Sequence, residues 1–94
     1  MNLTPFLTQY PAWQARKQML LRRYTFDDYL TGLDFLNDVA SLAEDLGHHP
    51  DMLLQYRTVS LSLTTHEDGP QVTEDDVRLA MAIEQLYEEA YKMG

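Results

Sequence analysis

The chain of 94 residues contains no cysteine. It therefore has neither a disulfide framework nor a thiolate that could bind a metal or attack a substrate. Basic residues are also few, since seven Lys and Arg stand against 15 Asp and Glu and the formal charge is −8. Because nucleic-acid binding draws most of its affinity from Lys and Arg on phosphates, this balance argues against a nucleic-acid partner.

Long apolar runs are missing as well. No stretch approaches the roughly 18 apolar residues of a membrane span, and the N-terminus lacks the basic flank and apolar run of a secretion signal. Glycine and proline number four each while 45% of the residues are hydrophobic, a balance typical of a globular domain. We expect a soluble, cytoplasmic protein with an N-terminal arm at residues 1–11 and a single domain at residues 12–94.

Hydrophobic periodicity in the first half predicts two strands and a helix. Two-residue alternation from Leu20 to Phe26 indicates a strand, and a weaker strand is expected at about residues 12–17. Apolar residues spaced by three and four between Leu30 and Leu46 indicate an amphipathic helix. Thr25, followed by two acidic residues, is a suitable helix start, and Gly47 is a natural stop.

The second half repeats this order of elements. Residues 57–66 alternate and give the clearest strand, and a shorter strand at about 52–56 is expected to pair with it. Thr73 caps a last helix, with Asp76 completing a capping box. The sequence thus predicts an α+β fold, a four-stranded antiparallel sheet in the order ββαββα with two helices packed on one face. The other face is left open for a ligand or a second subunit.

All three histidines fall at the ends of predicted elements. His48 and His49 follow the first helix, and His66 ends the polar face of the long strand. Glu44 is four residues before His48, so the two side chains share one face if the helical turn persists to its end, and the carboxylate then fixes the tautomer of the imidazole. Histidine has a reference pKa of about 6.5, so such a side chain can exchange protons near neutral pH. Helix-end histidines often only cap carbonyl groups, and that alternative stays open.

Other chemistries have less support in the sequence. Three imidazoles and a water can bind catalytic zinc, but adjacent histidines lack the three- or four-residue spacing that directs two ligands at one ion. No serine lies in a nucleophile elbow, and no glycine-rich loop is present to bind phosphate. Zinc binding and nucleophilic catalysis are therefore weaker interpretations than proton transfer.

The chain contains, in order, Glu44, His48-His49-Pro50, Tyr56, Thr65-His66 and Asp76. This ordered set resembles the signature of the pterin-4a-carbinolamine dehydratases. Residues 22–29 and 82–85 are similar to that family's strand into its first helix and to its last helix, so the resemblance covers roughly residues 13–90. Met52, Leu53 and Leu54 depart from it, because the family usually has an aromatic residue and an asparagine in this stretch.

The resemblance implies a dehydratase that removes water from 4a-hydroxytetrahydropterin and gives quinonoid dihydropterin, in tetrahydropterin recycling, with no metal or organic cofactor. It also implies a set of site residues: His48, His49 and His66 as catalytic, Glu44 and Asp76 in support, and His49, Pro50, Tyr56 and Thr65 at the substrate. Within that set we expect His48 and His66 to transfer protons and His49 to position the pterin. The alternative is a non-catalytic pterin-binding or protein-dimerisation module with a transcriptional-cofactor or molybdopterin-related role.

The last helix predicts self-association. Tyr87 and Tyr91 cannot face the sheet together with Ile83 and Leu86, because these side chains spread around a helix of 3.6 residues per turn. The sheet also leaves two unpaired edges. We expect a homodimer or homotetramer through this helix and a sheet edge, as the family resemblance also implies. Alternatively, the aromatic residues of the arm and Trp13 cover part of the helix within one subunit.

Overall fold

The computed structural model describes residues 1–92 and confirms the predicted α+β fold. The elements in chain order are α1 (Thr4–Gln9), β1 (Gln14–Arg16), β2 (Met19–Thr25), α2 (Tyr29–Leu46), β3 (Asp51–Gln55), β4 (Thr58–Leu63), α3 (Glu74–Leu86) and a π-helical turn (Tyr87–Tyr91). The strands form one sheet in the order β1-β2-β4-β3, with each neighbouring pair antiparallel. No helix within residues 1–92 is long and apolar enough to cross a membrane.

The inner face of the sheet is apolar because alternate residues of a strand project to the same side. Leu20 and Tyr24 of β2 are buried there, together with Val59, Leu61 and Leu63 of β4. The strand alternation predicted for both segments is therefore confirmed. The helices complete the same core with Phe35 and Val39 of α2 and Leu79, Ala80 and Ile83 of α3.

Helix α2 begins later than the sequence predicts. Thr25 is the last residue of β2, where it pairs with Thr58, and the helix is capped by Asp28, whose Oδ1 accepts from the N–H of Thr31 at 2.8 Å. The prediction of a start at Thr25 was wrong, because pairing with β4 holds that residue in the sheet. The predicted stop is confirmed, since Gly47 has the left-handed φ of 66° that favours glycine.

The C-terminal end of the last helix packs against α2 of the same chain. Asp76 Oδ2 accepts from the N–H of Thr73 at 2.9 Å, the acidic half of the predicted capping box. At the other end, the π-helical turn directs Tyr87 and Tyr91 at Phe35 of α2, with ring centroids 6.1 and 5.1 Å apart. These two tyrosines therefore pack against the core, and they are not surplus surface as the sequence analysis supposed.

The N-terminal arm contains a helix, α1, that the sequence analysis did not predict. Proline stands in its first turn, where the missing N–H costs nothing. Phe6 is buried and lies 6.1 Å from the ring of Trp13, and the indole Nε1–H of Trp13 donates to Glu84 Oε1 of α3 at 2.9 Å. Trp13 thus covers part of α3 within one subunit, and the arm packs against Trp13 through Phe6.

Glu84 is a buried carboxylate at the centre of a polar cluster that the sequence analysis missed. Its Oε1 accepts from Trp13, from Arg22 Nε at 3.0 Å and from the Tyr24 hydroxyl at 2.7 Å, and its Oε2 accepts from Arg22 Nη2 at 3.2 Å. The Arg22 guanidinium also lies 3.8 Å from the centroid of the Tyr24 ring. The sequence did contain a sign of this cluster, because both charged residues interrupt apolar patterns. Arg22 lies between Leu20 and Tyr24 in the two-residue alternation of the strand, and Glu84 follows Ile83 in the apolar part of the last helix.

The cluster shifts the titration of its members in opposite directions. Burial alone raises the pKa of Glu84, but the hydrogen bonds and charge of Arg22, with the bonds from Tyr24 and Trp13, outweigh it, and the pKa lies below its ordinary value. Burial and the hydrogen bond to Glu84 raise the pKa of Tyr24 well above its ordinary value. The carboxylate is therefore charged and the phenol neutral across the physiological range.

Candidate active site

The end of α2 sets the direction of the first histidine. The N–H of Gly47 bonds to Glu44 O at 3.3 Å and the N–H of His48 bonds to Ala43 O at 3.1 Å, the two bonds of a Schellman motif. The left-handed residue turns the chain out of the helix. His48 therefore no longer follows the helical spacing that would place it beside Glu44.

His48 instead contacts Asp76 in the first turn of α3. Its Nε2 lies 2.5 Å from Asp76 Oδ1, and the Asp76 side chain has no exposed surface. The predicted contact between Glu44 and His48 was wrong. The family resemblance predicted a supporting role for Asp76, and in the structure Asp76 is the carboxylate that contacts His48.

Glu44 pairs with the second histidine. Its Oε2 lies 2.5 Å from His49 Nε2, and both side chains are well exposed. Each of the adjacent histidines thus has its own carboxylate, one buried and one in solvent. Since water screens the exposed pair, its contribution to stability is small.

His66 lies beyond the long strand rather than on it. Strand β4 ends at Leu63, and Thr65 and Gln71 form a two-way backbone bridge, with N–O distances of 2.9 and 3.0 Å, that closes a loop over residues 66–70. Thr65 donates its hydroxyl proton to Asp76 Oδ2 at 2.8 Å. Asp76 therefore joins three segments, the exit of α2, the start of α3 and the residue before His66.

Of the residues predicted to contact the substrate, Pro50 lies beside the histidine pair and Tyr56 lies far from it. Pro50, next to the histidine pair, is partly buried and directly precedes β3. Tyr56 is 72% exposed at the far end of the β3–β4 hairpin, with a φ of 53°. At about 3.3 Å per residue, the five residues of β3 separate it from the histidine pair by roughly 16 Å. The structure does not bring Tyr56 to this site within one chain.

The face of the sheet that carries no helices has a groove of about 570 Å³. Arg16, Arg23, Leu53, Ser60 and Ser62 are among the residues that line it. Among the described residues 1–92, no histidine lines this groove, so it is separate from the cluster around Asp76. Across residues 1–92, no group of three or more His, Cys, Asp or Glu side chains has a geometry that could hold a metal ion.

The chain is similar to known proteins over most of its length. A model of the pterin 4 alpha carbinolamine dehydratase family matches residues 2–86. A protein of Thermomicrobium roseum, named "Putative pterin-4-alpha-carbinolamine dehydratase", is 39% identical over 85 residues, covering 90% of each chain. A protein of the same name from Bordetella avium is 38% identical over 96 aligned positions, covering all of this chain and 88% of the other. The chain belongs to the pterin 4 alpha carbinolamine dehydratase family.

Two solved structures share the fold. A transcriptional coactivator/pterin dehydratase from Brucella melitensis superposes with a TM-score of 0.81 at 29% identity, over 89% of this chain and 90% of that one. A pterin dehydratase-like protein described as a RuBisCO assembly factor in the alpha-carboxysome gives a TM-score of 0.63 at 27% identity, over 79% and 84% of the two chains. The fold therefore occurs in proteins whose titles name different roles.

Proposed function

We propose that this protein dehydrates a 4a-hydroxytetrahydropterin to the quinonoid dihydropterin, as a hydro-lyase of tetrahydropterin recycling. The observation that carries the proposal is the contact of His48 with the buried Asp76, at the point where three segments of the family signature meet. The names of the relatives point to the same chemistry.

The reaction needs one base and one acid. The base removes the proton from the ring nitrogen beside the hydroxyl-bearing carbon, the carbon–oxygen bond breaks, and the acid protonates the departing hydroxyl so that water leaves. No electrons are exchanged with a second reactant. Two imidazoles in opposite protonation states can perform both transfers, and we assign them to His48 and His66. His49, exposed and paired with Glu44, positions the pterin.

The test is a dehydration assay on freshly generated 4a-hydroxytetrahydropterin, with the uncatalysed rate subtracted. His48→Ala and His66→Ala should each lower kcat by about 100-fold or more, because general acid–base groups contribute on that scale. His49→Ala should mainly raise KM. Near-normal kcat in His66→Ala would show that the assignment of His66 is wrong.

We also expect the activity to survive exhaustive chelation of metals. His48 Nε2 and His49 Nε2 are each engaged by a different carboxylate, and adjacent residues after a helix diverge. The assay is repeated after dialysis against a strong chelator and again after zinc is added back. Loss of activity that zinc restores would contradict a metal-free reaction.

A second candidate function is a non-catalytic module that binds a pterin or a protein. The coactivator and RuBisCO-assembly titles of the two similar structures favour it, as does the open-face groove with Arg16 and Arg23. Pterin binding in equilibrium dialysis, without acceleration of dehydration, would favour the module. Acceleration that is lost in His48→Ala would favour the enzyme.

A further inference from the structure

Thr65 connects the two histidines that we assign to proton transfer. Its hydroxyl lies 2.8 Å from Asp76 Oδ2, the same carboxylate whose Oδ1 contacts His48. Thr65 directly precedes His66, and its backbone N–H and C=O both form hydrogen bonds with the backbone of Gln71. The side chain and the backbone of this residue are therefore fixed by different partners.

The hydroxyl protons of this cluster can be counted. Thr65 Oγ1 carries one proton, and it donates that proton to Asp76 Oδ2 because a carboxylate oxygen only accepts. Thr65 Oγ1 also lies 2.8 Å from Thr73 Oγ1, so the Thr73 hydroxyl must be the donor of that bond. The protons then run in one direction, from Thr73 to Thr65 to Asp76.

The same count places a proton on one nitrogen of the imidazole. Asp76 Oδ2 is filled by Thr65 and by the N–H of Thr73, while Oδ1 faces His48 Nε2. Since Oδ1 accepts, Nε2 carries a proton. Whenever the ring is neutral, the other nitrogen, Nδ1, is then left with a free lone pair. A rotation of the Asp76 carboxylate away from His48 would remove the preference for a proton on Nε2.

We propose that Thr65 is a positioning residue for the dehydration: its hydroxyl orients Asp76, which keeps the proton of neutral His48 on Nε2 and leaves Nδ1 to exchange protons with the substrate. This proposal rests on the proposed function. It gives Thr65 a role through Asp76 in place of the substrate contact expected from the sequence.

The kinetic test compares three variants. Thr65→Val removes the hydroxyl with little change of shape and should lower kcat about tenfold, as losing one hydrogen bond to a charged group does, with KM within about twofold. Thr65→Ser restores the donor and should recover kcat. The matched control is Thr64→Val, because the neighbouring Thr64 hydroxyl donates to the backbone oxygen of Gln18 at 2.7 Å and does not reach Asp76.

A second readout does not depend on activity. In a neutral imidazole the protonated and unprotonated nitrogens differ widely in ¹⁵N chemical shift, and the spectrum is therefore recorded at about pH 8.5, about two units above the reference histidine pKa. The His48 signals, identified by their loss in His48→Gln, should show protonated Nε2 in the wild type and in Thr64→Val. In Thr65→Val they should move toward a mixture of tautomers.

The outcomes separate this proposal from the proposed function. If the wild type does not accelerate dehydration but Thr65→Val still changes the His48 tautomer, the proposed function fails while the control of the tautomer by Thr65 is supported. If the wild type is active and Thr65→Val matches Thr64→Val in both kcat and ¹⁵N shifts, the positioning role is overturned.

Discussion

At the scale of single residues, Glu84 gives the sharpest prediction of stability. Glu84→Gln keeps the shape but removes the charge that the largely buried Arg22 guanidinium faces. We expect a loss of about 3 kcal/mol in the free energy of unfolding, as for other broken buried pairs. The matched control is Glu88→Gln in the exposed Lys92–Glu88 pair, which should change stability by less than about 0.5 kcal/mol. Urea titrations measure both, and equal effects would contradict this account.

The lowered pKa of Glu84 also predicts a pH dependence. Because the folded pKa lies below the unfolded one, the stabilisation is complete above the ordinary glutamate value of about 4.3 and is lost as pH falls through the folded value. The difference in unfolding free energy between the wild type and Glu84→Gln should therefore shrink as the pH falls below about 4.3. A difference that stays constant into that acidic range would be inconsistent with a charged Glu84.

At the scale of elements, the β1–β2 turn contains residue types that disfavour the left-handed backbone conformation that they adopt there. Lys17 and Gln18, the two residues between the paired Arg16 and Met19, have φ values of 50° and 65°. Such turns favour Asn-Gly, since other residues lose about 1 kcal/mol or more in the left-handed region. Lys17→Asn with Gln18→Gly should raise the free energy of unfolding by about 1 kcal/mol.

The opposite substitution serves as the control for that turn. Gly47→Ala forces a Cβ onto a residue with a φ of 66°, where no atom would clash with it, and should lower stability by about 1 kcal/mol. Thermal melts of both variants compare the two effects. If Gly47→Ala is destabilised as expected but the turn variant is not stabilised, other contacts hold the β1–β2 turn in its conformation.

The four strands and the two long helices could be predicted from the sequence because hydrophobic periodicity and capping residues are local. Gly47 ended α2 and the alternation of β4 buried Val59 as expected. The contacts of the site could not be predicted in the same way. Asp76 is 28 residues from His48, and the left-handed turn at Gly47 decides which imidazole meets which carboxylate. Spacing rules for a helix stop applying once the chain leaves it.

At the scale of the whole molecule, self-association remains a prediction, but the surface expected to form the contact no longer includes the tyrosines of the last helix. Tyr87 and Tyr91 pack against Phe35, and Tyr91 donates its hydroxyl proton to Asp38, so charged substitutions there would disturb the fold itself. Exposed large apolar side chains lie elsewhere: Tyr29, Leu30 and Leu33 of α2, and Met52 and Leu53 of the edge strand β3.

Light scattering at micromolar concentration should give a multiple of the chain mass of 10.9 kDa. Leu53→Lys on the edge strand and Leu30→Lys on α2 should each lower that mass, because a charge opposes pairing of a sheet edge and burial of an apolar patch. Circular dichroism checks that both variants stay folded. A wild-type mass near that of one chain would rule out self-association at this concentration.

The bond between Trp13 and Glu84 has a spectroscopic consequence. The chain contains one tryptophan, so its fluorescence comes from a single place, where the N-terminal segment meets α3. A buried indole emits at shorter wavelength than one in water, and Trp13 is only 2% exposed. Release of the N-terminal segment would shift the emission to the red while the helical signal in circular dichroism persists. Noncoincident transitions of the two signals would reveal an intermediate with this segment detached.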